Sequence, residues 1–114
     1  MSDRLPTRLW VDALVRRVSV GGASAFIMQS GDSERGDVMV KVARLDGTAA
    51  LFVPSPLSFE VKTFDWLPKA GEWAKEFDVD EIVTRRKSYD PDVWVVEIED
   101  RDGRNFLTEP VNYE

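Results

Sequence analysis

Residues 93–99 read Val-Trp-Val-Val-Glu-Ile-Glu. Trp94, Val96 and Ile98 point one way under a period of two, and Val93, Val95, Glu97 and Glu99 point the other. This is the strongest strand signal in the chain, and it places a sheet at the centre of the fold. Just upstream, Asp90-Pro91 stops the preceding element, because the residue before a proline avoids the helical region. Downstream, Asp102-Gly103 marks a hairpin turn, with Arg104 to Glu109 expected to return as a strand.

Further upstream, Asp78 and Glu81 are spaced as a capping box that opens a helix running to Tyr89. Val79, Ile82, Val83 and Arg86 share one of its faces. A first helix is expected from Pro6-Thr7, with Thr7 as cap. Trp10, Ala13, Leu14 and Val18 form its apolar face, and Gly21-Gly22 ends it with a left-handed residue. Ser24 to Gln29 reads as a strand. The polar loop Ser30 to Gly36 has the length that joins it as a hairpin to the next, in which Val38, Val40 and Val42 bury one face. Asp46-Gly47 predicts a tight turn into a third strand, Thr48 to Val53. Ser58 to Leu67 alternates as a fourth strand, and Glu72 to Phe77 has room for a helical turn. Residues 59–77 carry the least definite signal. The expected fold is one α+β domain over residues 1–114: a mostly antiparallel sheet of five to six strands, with two helices packed on one face. Residues 1–6 and 110–114 are expected as flexible termini.

Composition narrows the chemistry. The 114 residues hold 15 basic and 21 acidic side chains, for a net charge of −6, and no cysteine or histidine. Disulfides, thiolate nucleophiles, histidine triads and thiolate or imidazole zinc sites are therefore excluded. The acidic excess lies in residues 76–102, with ten acids against four bases. A negative field disfavours non-specific phosphate binding, so nucleic acid is not the expected partner. No run is apolar and long enough to span a bilayer, and residues 1–20 have no apolar signal-peptide core. A cytoplasmic protein is the expectation.

Several stretches carry a family likeness. They are W-V-D-A-L-V-R-R from Trp10, S-G-D-S-E-R-G-D-V-M-V-K-V from Ser30, L-D-G-T-A-A-L-F-V-P from Leu45 and Y-D-P-D-V-W-V-V-E-I-E-D from Tyr89. Over most of residues 7–108 the chain resembles the small bacterial proteins grouped as domain of unknown function family 1491. The resemblance implies a single small cytoplasmic domain, and brings no activity, substrate or catalytic residue.

Three groups are candidate binding residues. Asp90 and Asp92 flank a proline that fixes φ, so two carboxylates could serve as acid and base or hold a divalent cation; turn chemistry explains the same pair. Arg16 and Arg17 end the first helix, and Arg85, Arg86 and Lys87 end the second. There they complement the helix dipole, or bind a small anion or an acidic protein patch. Helices lying parallel would bring these ends together. Antiparallel helices would separate them by roughly 18 Å, the arrangement expected because it lowers like-charge repulsion. Arg86 falls on the apolar face, where its stem can lie along apolar surface with the charge in water. Trp66 and Trp73 flank the Pro68–Gly71 loop, as binding aromatics or as a satellite cluster beneath it. Asp100, Asp102, Gly103 and Glu109 imitate a calcium loop, but Ile98 occupies the position of its first oxygen ligand.

No catalytic residue, metal or cofactor is assigned. The function expected from the residues is a non-catalytic interaction or ligand-binding domain. The alternatives are a carboxylate- and arginine-based enzyme using a divalent metal, and a nucleic-acid accessory protein. The oligomeric state is not legible.

Overall fold

A computed structural model describes residues 5–56 and 62–113. The elements run α1 (Thr7–Val20), β1 (Ser24–Gln29), β2 (Val38–Ala43), β3 (Thr48–Pro54), β4 (Phe64–Leu67), β5 (Ala74–Lys75), α2 (Glu76–Tyr89), β6 (Trp94–Glu99) and β7 (Val111–Asn112). The fold is α+β as expected, with a mixed, mostly antiparallel sheet of seven strands. Its order is β1-β6-β2-β3-β4-β7, with β5 pairing off this path on β3. Part of the expected fourth strand, including Phe59 and Val61, lies outside the described residues. Among the described residues no helix is long and apolar enough to cross a membrane.

The Val93–Glu99 signal finds its cause in the position of β6. It lies between β1, which it pairs antiparallel, and β2, which it pairs in parallel with Val38 opposite Trp94 and Val42 opposite Ile98. β1 and β2 are therefore not a hairpin, although only the 30–37 loop separates them. A near-continuous apolar strand gains more from a central position than a half-exposed one does. The loop instead closes the start of α1. The Thr7 and Arg8 amides donate to the Glu34 and Ser33 carbonyls, and the Thr7 hydroxyl donates to the Gly36 carbonyl at 2.9 Å. Thr7 thus sits inside the helix and not at its cap, since loop carbonyls take up the donors a side-chain cap would have satisfied. The loop presses closely on the entry to β6: a Cβ at Gly31 would overlap the Asp92 carbonyl oxygen.

The two helices pack on opposite faces of the sheet, which corrects the single-face expectation. Val11, Leu14 and Val18 of α1 meet Val38, Val40, Val42, Trp94, Val96 and Ile98. Val79, Ile82 and Val83 of α2 meet Met39, Leu51, Val53, Val93 and Val95. Successive residues of β2 and β6 point to opposite faces, so two helices are needed to keep both dry. All of β2 is buried, including Lys41, where one buried face was expected.

Several boundaries also move. Helix α2 begins at Glu76, so Asp78 lies in its first turn and not at its cap, where its charge favours the positive helix end. The turn between β2 and β3 places positive φ at Leu45 and Gly47, not at Asp46 and Gly47. Asp46 instead accepts from the Thr48 amide at 2.9 Å. Residues 104–109 form no strand. Arg104 folds back on Asp100 with its amide and guanidinium, at 2.8–3.0 Å, and this local pairing takes the place of a hairpin ladder. In the C-terminal stretch, Val111 and Asn112 add a short parallel strand beside β4.

Candidate functional site

The turn after α2 is built from Asp90. Its amide closes the helix on the Arg86 carbonyl at 3.2 Å, and its Oδ1 accepts from the Asp92 amide at 3.1 Å. Its carbonyl accepts from the Val93 amide, which delivers the chain into β6. Asp90 therefore organises the turn, with its Oδ1 engaged by the Asp92 backbone. Among the described residues no group of three or more carboxylates is placed to hold a metal ion.

This turn and the last turns of α2 overhang the sheet and leave a cavity of about 500 Å³. Its floor is apolar: Met39 of β2, Val53 and Pro54 of β3, Leu67 of β4, Val93 before β6 and Ile82 of α2. Its rim carries Arg85, Arg86 and Tyr89 from α2, with Asp37 and Asp90. Arg86, expected on the apolar face, is exposed at this rim. Among the described residues neither Arg85 nor Arg86 has a carboxylate oxygen within 4.0 Å. Two solvated guanidinium groups above an apolar floor suit a ligand with a carboxylate at one end and an apolar body.

The other candidates lie elsewhere. Arg16 is exposed on α1. The Arg17 Nε donates to the Phe106 carbonyl at 3.0 Å, while its buried Nη2 has no hydrogen-bond partner among the described residues. Because α1 and α2 occupy opposite faces, the two basic helix ends do not share a surface. They lie on the two sides of the sheet, where packing on one face was expected. Trp66 and Trp73 stack edge to face at 5.4 Å, with Trp66 also against Phe52 and Tyr113. The Trp66 indole donates to the Glu72 carbonyl at 2.9 Å, and the Arg44 guanidinium lies 4.3 Å above the Trp73 ring. These aromatics seal the 68–73 loop onto the sheet. Trp66 also borders a second, broad depression with Asp65, Asn112 and Tyr113.

Sequence reasoning missed Lys41. It is buried on the α2 face of β2, its Nζ 2.7 Å from Glu76, 2.6 Å from Asp80 and 3.1 Å from Glu97. Burial alone pulls its pKa down, but the bonds to Asp80, Glu76 and Glu97 outweigh that and hold it above the ordinary lysine value. The cluster ties the first turns of α2 to two central strands, which fixes the helix that overhangs the cavity. The available signal was a lone lysine inside the apolar run Val38–Ala43. Asp37, Tyr89 and the floor residues were also missed, because chain order does not reveal which strands meet beneath a helix.

Comparison with known proteins agrees with this architecture. The model of the family DUF1491, described as a protein of unknown function, matches residues 5–108. The crystal structure of a DUF1491 family protein from Caulobacter crescentus CB15 is 44% identical, with a TM-score of 0.85 over 96% of this chain and 100% of that one. The NMR structure of a DUF1491 family protein from the same organism is 45% identical, with a TM-score of 0.82 over 95% and 96%. The solution structure of protein Atu0922 from A. tumefaciens is 29% identical, with a TM-score of 0.78 over 96% and 97%. No curated protein matches the chain.

Proposed function

The chain belongs to the DUF1491 family, whose description assigns no function, and we propose that it is a small cytoplasmic, non-catalytic binding domain. Its site is the cavity beneath the C-terminal half of α2, and its ligand is a small organic acid with an apolar body. One observation carries this reading: Arg85 and Arg86 stand at the rim of an apolar cavity without an ion-pair partner among the described residues. The volume, about 500 Å³, falls in the range of small-molecule sites. The floor supplies contact area for the apolar body, and the guanidiniums supply charge-assisted hydrogen bonds to the carboxylate. Asp37 and Asp90 on the same rim oppose a highly charged anion such as a phosphate ester, and so favour a monocarboxylate. The overall charge of −6 points away from a phosphate polymer.

Titration of the ¹⁵N-labelled protein with octanoate, octylamine and octanol tests the reading. Octanoate should shift amides of residues 37–39, 53–54 and 82–93 saturably. The double variant Arg85→Gln/Arg86→Gln should weaken it roughly tenfold, the worth of about one charge-assisted hydrogen bond. Equal binding of octylamine, or octanoate shifts that map elsewhere, would refute it.

A further inference from the structure

Strand β1 is one edge of the sheet. It pairs with β6 on one side, and on the other it ends the strand order. Natural edge strands are normally kept short or carry charges, because an exposed row of backbone donors and acceptors templates pairing with another strand. This edge is six residues long and reads Ser-Ala-Phe-Ile-Met-Gln, with no charged side chain. Phe26, Ile27 and Met28 are 47%, 44% and 61% exposed. A bulge between Ile27 and Gln29 interrupts it. The opposite edge, β7, has two residues.

Registers place these side chains. Ile27 lies opposite Val96 and so on the α1 face, while Phe26 lies opposite Glu97 on the α2 face. An added strand must therefore be apolar on both faces, unlike a surface strand that buries only one. β1 itself meets this requirement.

We propose that β1 is a self-association edge, at which a second copy of this chain adds its own β1 in antiparallel register about a two-fold axis perpendicular to the sheet. Opposite residues in an antiparallel pair share a face, so an axis through Phe26 sets Phe26 against its counterpart and Ala25 against Ile27. No charge meets like charge within the strand. On the neighbouring strand, Glu97 opposite Phe26 is held by Lys41 at 3.1 Å. The contact is one six-residue strand with three half-exposed apolar side chains. That is far fewer than the roughly 20–30 residues a side of a standard interface, so the dimer is weak and concentration-dependent.

Sedimentation velocity between about 10 μM and 1 mM tests this, a span chosen for the weak affinity of a small interface. The wild type should move from monomer towards dimer, and the amide shifts of residues 24–29 should depend on concentration. Phe26→Lys and, separately, Met28→Lys should each raise the dissociation constant at least tenfold. Both positions are about half exposed or more, so each variant should retain the wild-type circular dichroism spectrum, and two independent positions guard against one that does not fold. A wild type that stays monomeric at 1 mM overturns the proposal. So does a dimer that both folded variants leave unchanged, or one whose concentration-dependent shifts lie outside β1.

Discussion

Replacing Lys41 by methionine removes the one cation from a site with three carboxylates. Their oxygens lie 2.7, 2.6 and 3.1 Å from Nζ, so without it they face one another within about 6 Å. At an effective dielectric of about 20, each such like pair costs roughly 3 kcal/mol. Glu76 and Asp80 are 37% and 54% exposed and can turn into water, which discounts their share. Glu97, at 18%, cannot, and it keeps most of the penalty. The expected loss at pH 7 is therefore about 3 kcal/mol, at the low end for a broken buried ion pair. For a domain of this size that lowers Tm by about 12 °C. Because the Lys41 pKa is raised, its stabilisation is complete below the ordinary value near 10.5 and is lost as pH climbs through the higher folded value. Urea denaturation of variant and wild type at pH 7 measures the loss, and a series climbing above pH 10.5 measures its pH dependence. A loss below about 1 kcal/mol at pH 7 would refute the reasoning.

Trp94 is buried in the α1-side core, and its indole donates to the Asp32 carbonyl at 2.8 Å. Trp94→Ala should cost about 3–5 kcal/mol in urea denaturation, and a cost under 1 kcal/mol would contradict the packing. Arg104 holds the Asp100 carboxyl below the usual aspartate range through a two-pronged contact. That stabilisation is complete above the ordinary value of 3.8 and is lost as pH falls towards the lowered one. Arg104→Gln should therefore flatten the fall in urea midpoint between pH 5 and pH 2.5; a parallel fall in both proteins would count against it.

Elements were legible where local chemistry decides them. Trp10, Leu14 and Val18 announce α1, and Trp94, Val96 and Ile98 announce β6, because each pattern matches one period. The pairing of strands was not legible. Ser24 to Gln29 and Val38 to Ala43 look like hairpin partners, and nothing local says that a strand more than fifty residues later separates them. The face of α2 failed for a related reason: β2 hides a lysine among valines, so its second apolar face looks polar from sequence. At the candidate site, Arg85, Arg86 and Asp90 were visible as a cluster near a helix end. Their cavity was not, since its floor comes from four separate strands or strand entries.

The insertion of β6 between β1 and β2 orders events in time. At the ribosome, α1 and β1 emerge early, yet β1 has no neighbour in its own sheet until residues 94–99 follow. Until then β2 can pair only with β3, and its other edge stays open. The apolar Phe26–Met28 segment is thus a bare strand for most of synthesis, and closing the sheet means joining segments more than fifty residues apart. Such distant closure is slow, and it lengthens the interval in which an exposed strand can find the wrong partner. A chain truncated before residue 94 would keep that state permanently, with β1 stranded and one edge of β2 open.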